Sequence, residues 1–200
     1  MIQRLLPFLS LILLFVFLSF ASPHFLTSTN LSSVVRQTAV INIMALGMTM
    51  IIIAGGIDLS VGSILAIGGL LGTMSMEKGV PIPLGVVIGI CAGLVCGLTN
   101  GVLITRLRIE AFIVTLGTLG IVRGVTLIIS NGLPVHRIPQ QFSFLGEGNV
   151  LGVPFVLWIL VACAAAVHFV LEHTRLGRYA FAIGSNKEAA RYAGIPVSFH

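Results

Sequence analysis

The strongest constraint on this chain is the gathering of its apolar residues into long uninterrupted runs rather than their dispersal among polar ones. In order, the runs cover Leu5 to Phe20, Thr38 to Ala54, Ser60 to Met76, Pro81 to Thr105, Ala111 to Ile129 and Val150 to Leu171. Such lengths suit a hydrocarbon layer roughly 30 Å thick. Backbone amides in lipid need internal partners, which permits helices or closed barrels. Continuous runs without period-two alternation select helices. Composition agrees: 56% apolar against 8% charged residues leaves too little polar surface to clothe a water-soluble globule, and the mean hydropathy is +1.10. The expected fold is all-α, a polytopic membrane bundle of about six transmembrane helices. Residues 1–171 form the bundle and residues 172–200 a cytoplasmic loop.

The net charge of +5 reports topology rather than a polyanionic partner. Basic residues sit between the runs, no Lys and Arg tract is dense enough for a phosphate-binding patch, and nucleic-acid binding is discarded. With the N-terminus inside, seven basic residues fall on the cytoplasmic side (Arg4, Arg106, Arg108, Arg175, Arg178, Lys187, Arg191) against Arg36, Lys78 and Arg137 outside. This bias predicts an N-in orientation. The first run reads either as a cleaved signal, with Ser19 and Ala21 at a processing site, or as a retained helix; the spans that follow favour the helix. Cys91, Cys96 and Cys163 lie inside apolar runs without metal-ligand spacing, so packing is their expected role and neither metal nor cofactor is expected.

Inside the runs three features stand out. Gly85, Gly89, Gly93, Gly97 and Gly101 recur at every fourth position over about 24 Å of helix, a ridge against which another helix packs closely. The break from Gly55 to Ser63 (Gly-Gly-Ile-Asp-Leu-Ser-Val-Gly-Ser) places two helix-ending glycines before Asp58 and Ser60, either of which can cap the next helix. The break is a short capped turn or a polar point lining a translocation pathway, because carboxylates and irregular backbone at membrane depth are tolerated mainly where they line a cavity or are buried in protein. Arg123 poses the same choice, pathway residue or an anchor whose stem snorkels to the outer surface. His168 and Glu172, one turn apart, read as an interfacial pair.

The tail carries the sharpest local pattern. Ser185-Asn186-Lys187-Glu188 is a capping box, Ala189 and Ala190 continue the helix, and Gly194 with Pro196 ends it. A helix of about two turns cannot stand alone. Its polar residues leave a small alanine and Tyr192 face, better suited to a protein groove than to lipid.

Glu188-Ala189-Ala190, three residues and then Gly194 resemble the EAA motif of ATP-binding-cassette importer permeases. The Gly55–Ser63 break, Arg123-Gly124-Val125-Thr126, Leu176-Gly177-Arg178-Tyr179 and Ala182-Ile183-Gly184-Ser185-Asn186 resemble the ribose-type branch of the branched-chain amino acid and ribose permeases, in order and spacing over residues 36–197. The resemblance implies a sugar-importer permease subunit of the bacterial inner membrane whose tail helix (Ser185, Asn186, Lys187, Glu188, Ala189, Ala190 and Gly194) couples to an ATPase. It also implies partners: an ATP-binding cassette subunit, an extracytoplasmic sugar-binding protein and a second permease subunit in a homodimer. No Gly-Lys pair occurs in the chain, so a phosphate-binding loop closing with Gly-Lys-Ser or Gly-Lys-Thr is missing and ATP hydrolysis is expected on another chain. Family members carry further spans after the coupling segment, so a chain stopping at His200 is expected to be C-terminally truncated. The competing readings are a non-transporting fragment and a secondary carrier or channel, for which Asp58 and Arg123 are a sparse ionisable supply. No catalytic constellation argues for an enzyme.

Overall fold

A computed structural model of the chain describes residues 2–197, apart from the side chains of residues 2–5 and 7. The side chain of Arg4, counted above on the inner side, and the chain end at His200 lie outside the described residues. The elements run α1 (Ile2–Ala21), α2 (Ser28–Ile53), α3 (Val61–Glu77), α4 (Ile82–Thr105), α5 (Ala111–Ser130), α6 (Gln140–Glu147), β1 (Asn149–Val150), β2 (Val153–Pro154), α7 (Phe155–His173), α8 (Arg175–Ser185) and α9 (Lys187–Tyr192). Among the described residues α2, α4, α5 and α7 are long and apolar enough to cross a membrane, with α3 and residues 8–21 of α1 as shorter apolar helices. The fold is a polytopic helix bundle. Its exposed surface is rich in large apolar side chains, among them Phe17, Ile90, Ile121 and Phe169, as lipid contact requires.

Element boundaries depart from the apolar runs where polar residues supply hydrogen bonds. Helix α2 begins at Ser28, well before Thr38, because Thr27 Oγ1 accepts from the Asn30 amide at 3.3 Å while Asn30 Nδ2 donates to the Phe25 carbonyl at 2.7 Å. The sixth run does not begin as helix at Val150: β1 and β2 form a two-residue hairpin whose Leu151 and Gly152 both have positive φ, 55° and 77°, and Pro154 then opens α7. The stretch between α5 and this hairpin contains the short helix α6.

Packing divides the helices into two groups. Helix α3 packs on α4 and α5, and α4 touches α5; α2 packs on α7 and α8. The consecutive helices α2 and α3 share no substantial face. Within the first group, backbones meet closely. A Cβ at Gly89 would stand 2.7 Å from the Gly68 carbonyl oxygen, and one at Gly72 would stand 2.9 Å from that of Gly85. Glycine alone permits this approach, which exposes both helices to dense van der Waals contact in the absence of a hydrophobic drive between helices in lipid. At Gly93 a Cβ would make ordinary contact with Ile64, whereas Gly97 and Gly101 face open space within the chain.

Candidate functional site

The ends of α2 and α4, the starts of α3 and α5, and helices α8 and α9 all lie at one end of the bundle, here termed the tail end. Helix α2 stops there through paired bonds: the Gly55 amide donates to the Ile52 carbonyl and the Gly56 amide to that of Ile51, both at 2.9 Å, with Gly55 at φ 82°. This is a Schellman ending, and only glycine adopts that φ without cost. The chain then runs without helix to Val61.

In that break Asp58 Oδ1 accepts from the Ser60 amide at 2.7 Å and from Ser60 Oγ at 2.6 Å. Ser60 is fully buried, and its hydroxyl oxygen accepts from Asn100 Nδ2 on α4 at 3.0 Å. Asn100, only 4% exposed, accepts through Oδ1 from Thr118 Oγ1 on α5 at 2.6 Å. The buried Thr115 hydroxyl, bonded to its own helix at Ala111, also approaches the Ile57 carbonyl at 3.4 Å. Three helices therefore share one line of hydrogen bonds, Asp58 to Ser60 to Asn100 to Thr118. Asn100 sits about 8 Å of helix in from the end of α4 and Thr118 about 10 Å in from the start of α5, so the line lies well inside the tail end. In such surroundings each bond is strengthened and each unpaired partner is costly. Among the described residues the other oxygen of Asp58 accepts no hydrogen bond.

The capping expectation changes here. Ser60 occupies the N-cap position of α3, but its side chain makes no cap hydrogen bond. The hydroxyl is taken by Asp58 and Asn100, and Asp58 bonds the amide two residues on, so neither residue caps α3 in the usual sense. Arg123 does not join the network: it is exposed, about 12 Å of helix beyond Thr115 toward the other end of α5. Asn100 and Thr118 were not singled out in the sequence. The available signal was an Asn inside a long apolar run next to the glycine ridge, with Thr118 in the neighbouring run. A groove of about 360 Å³ between α3 and α5, lined by Leu65, Gly69, Thr73, Thr126 and Ser130, lies farther along those helices. Its Thr73 and Thr126 hydroxyls are bonded to carbonyls of their own helices.

At the tail the polar loop is two helices, not one. Thr174 caps α8, its Oγ1 accepting from the Gly177 amide at 3.4 Å, and α8 packs on α7 and α2. Ser185 is the last residue of α8 and does not cap α9. The backbone leaves the helix at Asn186 (φ −158°, ψ 104°), whose Oδ1 accepts from the Ala189 amide at 3.0 Å, so Asn186 is the cap. Gly194, at φ 79°, closes α9 with a second Schellman pair, Gly194 amide to Arg191 carbonyl and Ile195 amide to Ala190 carbonyl, each at 3.0 Å. In α9 only Ala190 is buried; Lys187, Glu188, Ala189 and Arg191 are exposed, and Tyr192 is 88% exposed. Near the end of α7, His168 does not pair with Glu172. Its ring lies edge-on to His173, which stacks on Phe169 at 5.3 Å.

With this geometry in hand, a comparison with protein families is decisive: residues 30–200 match the model described as the permease component of branched-chain amino acid transport systems. The chain belongs to this permease family. Among curated relatives of this permease, the ribose import permease protein of Escherichia coli (strain K12) is 39% identical over 194 residues, 95% of this chain and 60% of the relative. That of Bacillus subtilis (strain 168) is 38% identical over 198 residues, 98% and 62% of the two chains. The L-arabinose ABC transporter permease protein of Azospirillum brasilense is 37% identical over 186 residues, 93% and 55%. The permease chain thus spans about three fifths of the length of the curated relatives it matches. No solved structure matches it. The family and the apolar helices make it a multi-pass protein of the bacterial inner membrane.

Proposed function

We propose that this chain forms part of the translocation pathway of an ATP-driven monosaccharide importer, with the tail end cytoplasmic and α9 as the element that docks on a separate ATP-binding cassette subunit. The observation that carries this reading is α9 itself. It is a six-residue helix, fixed at both ends by Asn186 and Gly194, that buries only Ala190 and presents a charged face with an exposed Tyr192. A helix this short has no stability of its own, and its exposed face suits a partner's groove. The names of the relatives, ribose and L-arabinose permeases among them, support a pentose or hexose as cargo. An extracytoplasmic binding protein would deliver it, and a second permease subunit would complete the channel as a homodimer.

In this reading Asp58 lines the path near its cytoplasmic end, held by the buried Ser60 behind it, and the unengaged Asp58 oxygen is an acceptor for a sugar hydroxyl. Arg123 stands at the opposite, outer part of α5. The glycine ridge holds α3 and α4 as one unit while its open end, Gly97 and Gly101, is free for further helix contact. The proline variant Ala190→Pro is the test, since it removes the Ala190 amide that donates to the Asn186 carbonyl at 3.0 Å and sets the ring against that carbonyl, breaking α9. It should abolish cassette co-purification and sugar uptake in membranes while leaving insertion intact. Uptake and co-purification at the unsubstituted level would overturn the assignment.

A further inference from the structure

We infer that α2, α7, α8 and α9 move as one arm against the α3–α4–α5 unit, pivoting at Gly55–Gly56, and that Gly184 is the joint that fastens the tail helices to the arm. The mechanical role rests on the docking reading above; the existence of the arm does not. Three observations converge. First, packing joins α2 to α7 and α8, and α8 to α9, whereas α3 packs on α4 and α5; in sequence the two groups are connected twice, at the short Gly55–Ser60 break and through the longer segment 131–154 between α5 and α7. Second, Gly184 of α8 lies directly on the end of α2. A Cβ built on Gly184 would collide with the Ile53 carbonyl group, and one on Gly55 would meet the Gly184 Cα at 3.8 Å. The obstacle is backbone, so no rotamer change can relieve it. Third, beyond the pivot the chain is clamped to the other unit by the Asp58–Ser60–Asn100 bonds and by Thr115 at Ile57.

The arrangement is a lever. Gly184 is two residues before the Asn186 cap of α9, so displacement of α9 is delivered through α8 to the last turn of α2. The Schellman ending at Gly55 places a φ of 82° where rotation is least restricted sterically. Rotation there changes the angle at which α2 meets the clamped segment Ile57–Ser60 and so bears on the buried network without contacting Asn100 or Thr118. Packed units that turn about a few backbone residues move as rigid bodies between discrete arrangements. Gly184 is thus a positioning residue, acting on the network through the α2 end.

Spin-label distance measurements on the full chain in lipid nanodiscs test this, with the three native cysteines replaced by alanine. Labels at Lys187→Cys and Val161→Cys report within the arm; labels at Lys187→Cys and Leu98→Cys report between the units. The within-arm distribution should be narrow and the between-unit distribution at least about twice as broad, or split in two, as expected for rigid bodies about a hinge. Equal widths overturn the proposal. Gly184→Val should broaden the within-arm pair, while Ser185→Ala, at an exposed neighbouring position, leaves it unchanged; an unaltered within-arm pair in Gly184→Val removes Gly184 as the joint. Should Gly184→Val fail to fold, the two pairs in the otherwise unsubstituted chain still decide. Cassette co-purification, measured in parallel, bears only on the docking reading: its failure alongside a narrow arm and broad between-unit pair leaves the lever standing without that partner.

Discussion

The network at the tail end makes a quantitative prediction through Asn100→Ala. The substitution removes two buried hydrogen bonds, the 3.0 Å bond to Ser60 and the 2.6 Å bond from Thr118. Side-chain hydrogen bonds between membrane helices contribute on average about 0.6 kcal/mol and at most about 1.7 kcal/mol, so two well-formed bonds amount to about 1–3 kcal/mol. Lost packing at a site 4% exposed adds up to about 1 kcal/mol. The expected cost is therefore about 1–4 kcal/mol in all. Thr118→Val, which deletes only the terminal bond, should cost about 1 kcal/mol. Because both substitutions break the same bond, the double variant should cost less than the sum, with a coupling of about 0.6–1.5 kcal/mol. Reversible unfolding by dodecyl sulfate in mixed micelles measures this, with far-UV circular dichroism for total helix and the single tryptophan, Trp158 on α7, for the other helix group. A coupling below about 0.3 kcal/mol, the range of independent sites, would refute the bond between Asn100 and Thr118.

Two further predictions concern packing and caps. Gly89→Ala places a Cβ against the Gly68 carbonyl at 2.7 Å and should destabilise the α3–α4 pair by about 1–3 kcal/mol; Gly97→Ala, which meets nothing within 4 Å, should be neutral in the same unfolding assay, and equal costs at both positions would contradict the close approach. Asn186→Ala removes the α9 cap bond to the Ala189 amide and should cost about 1 kcal/mol of local helix stability, seen as roughly fivefold faster amide exchange in α9. Ser185→Ala should leave that exchange unchanged, since Ser185 ends α8; the reverse result would restore Ser185 as the cap.

How much of this was legible beforehand differs from element to element. The ends of α4 and α5 coincide almost residue for residue with the apolar runs, because there lipid immersion and helix extent are the same thing. They diverge at α2, where Thr27 and Asn30 extend the helix beyond its apolar stretch, and at α7, where a Leu151–Gly152 turn interrupts a run that composition alone cannot divide. Helix α8 was hidden by its polar residues: it is stabilised by Thr174 and by packing on α7 and α2, and neither contact is visible in local sequence.

The sequence by itself determined the membrane class, the helical solution, the approximate spans, the Gly55 break and the short tail helix with its Gly194 stop, because each follows from burial of backbone polar groups in lipid or from local φ and capping chemistry. Tertiary structure alone decided which polar residues meet. Asp58 and Ser60 find Asn100 and Thr118, Arg123 stays outside, three of the five ridge glycines find a neighbour, and Gly184 rests on the end of α2. Those pairings depend on how distant helices are placed against one another, and spacing along a single helix carries no record of that placement.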